Sequence, residues 1–165
     1  MLGALVGAGY ELEPKPSKAD VVVVNTCGFI ESAKQESIEA ILEAAKLKSG
    51  RCKAVVVAGC LSQRYGEELA REIPEADAFV GVNRNADLPD IVRRALAGES
   101  VIDCGKPELS WTECGRVHST APWTAYLKIA DGCDNRCSYC AIPDIRGPFR
   151  SRPPDAIIAE AEKMA

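Results

Sequence analysis

The sequence has little of what a membrane protein or a nucleic-acid-binding domain needs. Its longest uninterrupted apolar runs, Val21–Val24 and Ala54–Ala58, are strand-sized, far short of the ~20 residues of a spanning helix. No membrane association is expected. The apolar start, Met1 to Tyr10, has no basic n-region and no convincing small-residue cleavage site, which predicts no signal peptide. Positive charge is not in excess. The formal net charge is −4, so the electrostatic footprint of a nucleic-acid binder is missing. The imbalance lies before residue 124, with 14 basic against 18 acidic residues there and 6 against 6 from Thr124 on. Only one histidine occurs, His118. The 165 residues, 47% of them hydrophobic, suffice for one sizeable core, or for one core and a fragment of a second.

What is abundant is cysteine, eight in all. Without a signal peptide, that number points to metal or redox chemistry in a reducing, cytoplasmic compartment. Three of the eight, Cys133, Cys137 and Cys140, stand at CxxxCxxC spacing after a strand-like run, Thr124 to Ala130. Three thiolates in one short loop can hold a 4Fe–4S cluster and leave its fourth iron open to a small molecule. Zinc competes, but it usually takes four ligands, and no further Cys or His follows Cys140. A disulfide framework competes less well, since three is odd.

In chain order, Met1 to Ala8 reads as a helix without an N-cap residue, ended by Gly9. Gly7-Ala8-Gly9 follows no strand, so a dinucleotide loop is excluded. Pro14 to Lys18 is a turn. Asp20 to Asn25 alternates poorly and reads as a strand buried on both faces. Glu31 to Lys48 is a helix with Ala33, Ile38, Ile41, Leu42 and Ala45 on its apolar face, stopped by Gly50. Lys53 to Ala58 is a second buried strand, Gln63 to Glu72 a helix ended before Pro74, and Ala78 to Val82 a third strand. Asp87 to Ala97 is a helix, and Val101-Ile102 a short last strand. This alternation predicts an α/β domain with a doubly wound parallel sheet over residues 1–102.

Ligands of such sheets sit beyond the carboxyl ends of the strands. Cys27 and Cys60 both occupy that position, 33 positions apart in sequence. They can therefore converge, although burial as small apolar side chains is the common fate of free cysteine. Residues 103–123 read as a linker. The bland reading is preferred for its Cys104, Cys114 and His118, and for Cys52. Arg146, Arg150 and Arg152 form a local basic group whose simplest reading is a solvated loop. Residues 124–165 read as a strand, the cysteine loop and a helix opened by Pro153-Pro154. One such unit cannot close a core.

The motif Cys133-Asp134-Asn135-Arg136-Cys137-Ser138-Tyr139-Cys140, with its aromatic Tyr139 before the third cysteine, resembles the radical S-adenosylmethionine superfamily. Within it, the chain is similar to the methylthiotransferases along almost its whole length. Asn25-Thr26-Cys27 and Gly59-Cys60-Leu61 resemble two of that family's three auxiliary-cluster motifs. Pro143, Arg146-Gly147 and Ser151-Arg152-Pro153 continue the likeness beyond the cysteine loop. The resemblance implies that residues 124–165 begin a radical SAM partial α/β barrel. It also implies two 4Fe–4S clusters, one on Cys133, Cys137 and Cys140, the other auxiliary and held partly by Cys27 and Cys60. S-adenosylmethionine would bind at the first, with Tyr139 either along its adenine or packed beneath the cluster.

Two branches of the family compete. One modifies an adenosine of tRNA beside the anticodon; the other modifies an aspartate of small-subunit ribosomal protein twelve. Cys27-Gly28-Phe29-Ile30, Gln63 to Leu69 and Tyr126-Leu127-Lys128-Ile129 are similar to the ribosomal-protein branch, so tRNA is the less favoured substrate. A non-catalytic iron–sulfur fragment is the third reading. An electron donor such as a flavodoxin or ferredoxin and a monomeric state are further expectations. The family's first auxiliary cysteine, most of the barrel and the substrate-binding TRAM domain have no counterpart here. The expectation is a piece truncated at both ends, with an incomplete auxiliary site and no activity of its own.

Overall fold

The structure is a computed structural model. It describes residues 1–106, 111, 113, 115–118, 121 and 123–164. Cys114, Pro107, Pro122 and Ala165 lie outside the described residues.

Four parallel strands form the main sheet in the order β1 (Val21–Thr26), β2 (Ala54–Gly59), β3 (Ala78–Val80), β4 (Val101–Asp103). Helices cover both faces, because β2 alternates at period two between two cores. Ala54, Val56 and Ala58 face α1 (Leu2–Gly7) and α4 (Leu88–Leu96), through Leu5, Leu88, Ile91, Val92 and Ala95. Val55 and Val57 face α2 (Glu31–Lys46) and α3 (Cys60–Glu72), through Ile41, Ala44, Leu61 and Leu69, with Phe79 of β3 in the same core. Phe79 is wholly buried, and a side chain of that kind stabilises the fold by about 1.5–3 kcal/mol. The α/β fold class read from the strand–helix alternation is the one observed.

Among the differences from the sequence reading, three have a packing reason. β1 is an edge strand with one neighbour, so its valines are half-buried instead of buried on both faces. Of the apolar positions of α2, Leu42 is exposed while Ile41 is fully buried; a helix on a sheet buries a stripe narrower than its apolar residues allow. The helix after β2 starts at Cys60, three residues earlier than the apolar pattern suggests, because strand and helix meet in one tight turn at Gly59.

The second region is small. Of the expected strand Thr124 to Ala130, only Ala130 joins a ladder; β5 (Ala130–Asp131) pairs antiparallel with β6 (Arg150–Ser151). The Arg152 N–H donates to the Ile129 carbonyl at 2.9 Å and ends the pairing. Before it, Tyr126 and Ile129 are exposed; a strand needs a neighbour for its backbone groups, and none lies there among the described residues. Between the two strands, α5 (Ile142–Arg146) was not foreseen. It packs Ile145 against Cys60 and Val82, and so docks this region on the main sheet. The final helix, α6 (Pro154–Met164), has no buried residue. No helix among the described residues is long and apolar enough to cross a membrane.

Candidate cysteine sites

The carboxyl ends of β1 and β2 form the first candidate site. Thr26 and Gly59 are in register, so Cys27 and Cys60 each follow a paired residue at the same edge. Gly59 has φ +112, and a side chain there would come within 2.6 Å of the Thr26 carbonyl oxygen. Only glycine makes that turn without strain. Gly28 lies so close to the next turn that a Cβ on it would stand 2.8 Å from the Cys60 carbonyl. The two cysteine turns are thus in backbone contact.

Hydrogen bonds from neighbouring side chains fix both turns. Thr26 Oγ1 donates to the Ala58 carbonyl at 2.8 Å. The Cys27 N–H donates to Ser37 Oγ at 3.0 Å, and that hydroxyl donates to the Ala33 carbonyl at 2.7 Å. Ser62 Oγ donates to the Val57 carbonyl at 3.0 Å. Gln63 Oε1 accepts the Val82 N–H at 2.9 Å. The thiols differ in setting. Cys27 is exposed, whereas Cys60 is 7% exposed and accepts a hydrogen bond from Arg146 Nη2 at 3.2 Å.

The second candidate site is the loop Cys133–Cys140. It leaves β5 through Gly132, with φ +77, where a Cβ would meet the Pro148 carbonyl oxygen at 2.1 Å. The Cys133 N–H donates to the Gly147 carbonyl at 3.1 Å, and the Cys140 N–H to the Cys137 carbonyl at 3.0 Å. Asp134 is engaged elsewhere, its Oδ1 accepting the Phe149 N–H at 2.9 Å. Cys137 is exposed, Cys133 and Cys140 are half-buried, and all three are free thiols. Tyr139 is 90% exposed and points its ring at solvent, not into a core. Among the described residues, no three His, Cys, Asp or Glu side chains gather closely enough to hold a metal ion. The donor chemistry nevertheless suits an iron–sulfur cluster: three accessible thiols within eight residues, with the neighbouring carboxylate tied to backbone.

Beside that loop lies a charged cluster that sequence reasoning missed. Asp131, two residues before Cys133, has a side chain only 5% exposed. It accepts from Lys128 Nζ at 2.9 Å, Arg150 Nη2 at 3.1 Å and Arg146 Nη1 at 3.4 Å. Burial pushes its carboxyl up, but the Lys128 hydrogen bond and charge and the Arg146 charge outweigh this and hold it below its ordinary value. Arg152 is buried between Glu113 and Glu160 and also reaches the Lys128 carbonyl. The solvated-loop reading of Arg146, Arg150 and Arg152 is therefore wrong. Each guanidinium is paired, with carboxylates from 8 to 39 positions away. No sequence spacing announces such pairs.

The bland reading of the remaining described cysteines agrees with their surroundings. Cys52 is buried and its thiol donates to the Ala54 carbonyl at 3.3 Å; burial pushes its pKa up. Cys104 donates to the Phe79 carbonyl at 3.4 Å, and burial pushes its thiol up to about 12. His118 is exposed, with Nε2 3.1 Å from the Ala121 carbonyl.

The chain is similar to known proteins. Residues 1–81 match the model of the "Uncharacterized protein family UPF0004". The whole chain is 53% identical over 167 residues to a protein of Pelotomaculum thermopropionicum named ribosomal protein uS12 methylthiotransferase RimO. Proteins of the same name from Desulforudis audaxviator and an Anaeromyxobacter species are each 52% identical, again over 100% of this chain. The chain spans 35 to 38% of the length of these three relatives.

Proposed function

We propose, proceeding from the homology of the whole chain to the uS12 methylthiotransferases, that this protein carries the cluster-binding part of such an enzyme. The reaction would add a methylthio group to the β-carbon of an aspartate in small-subunit ribosomal protein twelve. One observation carries the reading: the Cys133–Cys140 loop and the in-register turns of Cys27 and Cys60 occur in one chain, joined through α5.

Cys133, Cys137 and Cys140 would hold one 4Fe–4S cluster, and Cys27 and Cys60 would give two ligands to a second. Such clusters, when bound, supply the electron that cleaves S-adenosylmethionine to a hydrogen-abstracting radical, and the sulfur that is transferred. The chain's own residues prepare the ground. The Gly132 turn and the bonds of Cys133 and Cys140 shape the loop. Asp131 and its three cations anchor the strand that precedes it. Tyr139, exposed beside Cys140, offers a flat face to the adenine of S-adenosylmethionine. A small flavodoxin- or ferredoxin-type protein would deliver electrons, in the cytoplasm, to a monomer.

The test is anaerobic reconstitution with iron and sulfide. About four irons lost together with Cys137→Ala support the loop as a cluster site. In a chain extended to the length of its relatives, dithionite and S-adenosylmethionine should then yield 5′-deoxyadenosine, and the ribosomal protein should gain a methylthio group. A folded chain that binds zinc and takes no iron overturns the reading.

A further inference from the structure

Arg146 stands between the two cysteine regions. It is the last residue of α5, the helix that follows Cys140 directly after Ala141. Its Nη2 donates to Cys60 Sγ at 3.2 Å while its Nη1 donates to Asp131 at 3.4 Å. The partners lie 86 and 15 positions away in sequence. One rigid guanidinium fork therefore joins a cysteine at the end of β2 to the strand that feeds the Cys133–Cys140 loop. Its planar geometry sets the direction of both bonds, which a lysine ammonium would not. The setting strengthens them, since Cys60 and Ile145 are buried around the contact and Asp131 is buried beyond it.

We infer that Arg146 is a positioning residue for Cys60, orienting its sulfur toward a metal and withdrawing electron density from it, and locking that sulfur to the strand before the second cysteine loop. This deepens the proposed function and rests on its reading of Cys60 as a ligand. Hydrogen bonds to ligand sulfurs are among the chief determinants of cluster reduction potential, and outer partners of ligands orient them. A charged donor on the sulfur raises the potential of a cluster held there. Arg146 is thus the contact through which the auxiliary site and the loop site hold each other in place.

Two experiments test it. In metal-free protein, urea unfolding is measured for Arg146→Gln, Cys60→Ala and the double variant. The effect of Arg146→Gln on the unfolding constant should shrink about tenfold when Cys60 is already gone, as for residues in direct contact. Effects that simply multiply, to within about twofold, overturn the inference. The second experiment separates electronic tuning from mere packing. Cobalt(II) is added to protein carrying Cys133→Ser, Cys137→Ser and Cys140→Ser, and the sulfur-to-cobalt charge-transfer band is recorded. Arg146→Gln should move the band to lower energy, with Arg146→Lys restoring part of the shift. A band that ignores Arg146 overturns the tuning. The absence of any Cys60-dependent band overturns Cys60 as a ligand, and the inference with it, while a stability coupling found in the first experiment would show that the contact itself is real. The proposed function would still stand or fall on iron uptake by the loop Cys133–Cys140.

Discussion

Asp131→Asn should be a costly substitution in the second region. The native carboxylate faces Lys128, Arg146 and Arg150, and its side chain is 5% exposed. The amide keeps the shape and loses the charge, so three cations are left around a neutral group. Removing one partner of a buried ion pair typically costs about 3–5 kcal/mol. Lys128 is half-exposed and Arg146 about a third exposed, whereas Arg150 is 12% exposed, so solvent screens two of the three and brings the cost to or below the bottom of that range, about 2–3 kcal/mol. Urea unfolding of the metal-free protein at pH 7, read by circular dichroism, measures it. The pH dependence gives an independent check. The folded carboxyl lies below its ordinary value of 3.8, so the unfolded chain binds the proton first. Its stabilisation is therefore present above that ordinary value and is lost as pH falls through the folded one. Wild type should lose stability between pH 6 and pH 3 more steeply than Asp131→Asn. A loss under ~1 kcal/mol at pH 7, the size of an exposed pair, with identical pH profiles, would refute the argument that this cluster is buried and coupled.

Gly59→Ala should destabilise by about 1–3 kcal/mol, because φ +112 and the Thr26 carbonyl leave no room for a Cβ; a thermal melt unchanged from wild type would show that the turn between β2 and α3 relaxes freely. Alkylation at pH 8 should label exposed Cys27 and Cys137 quickly and Cys104 slowly, since the latter stays a thiol up to about pH 12; peptide mass mapping reads the order, and fast labelling of Cys104 would contradict its burial. Cys52→Ala should leave iron uptake unchanged and cost about 1 kcal/mol or a little more for the lost packing, as expected of a cysteine that only fills core space; a drop in iron per chain would make it a ligand after all.

Much of this protein was legible in the sequence because the relevant physics is local. Alternating strands and helices show in apolar runs and Gly or Pro punctuation, and a parallel sheet places whatever follows each strand at one edge. That reasoning brought Cys27 and Cys60 to one edge of the sheet and left open whether they converge, and the spacing of Cys133, Cys137 and Cys140 needs only eight residues of chain. Tertiary structure alone decided the rest. β1 is half-buried because it has a single neighbour, a property of sheet order and not of Val21–Val24. The segment before Ala130 is not a strand because no ladder among the described residues reaches it. Arg146, Arg150 and Arg152 look like solvated charge in sequence, since the groups that neutralise them lie far along the chain and act only through space. The link from Arg146 to Cys60 spans 86 positions, and a hydrogen bond leaves no periodicity or spacing from which such a partner can be read.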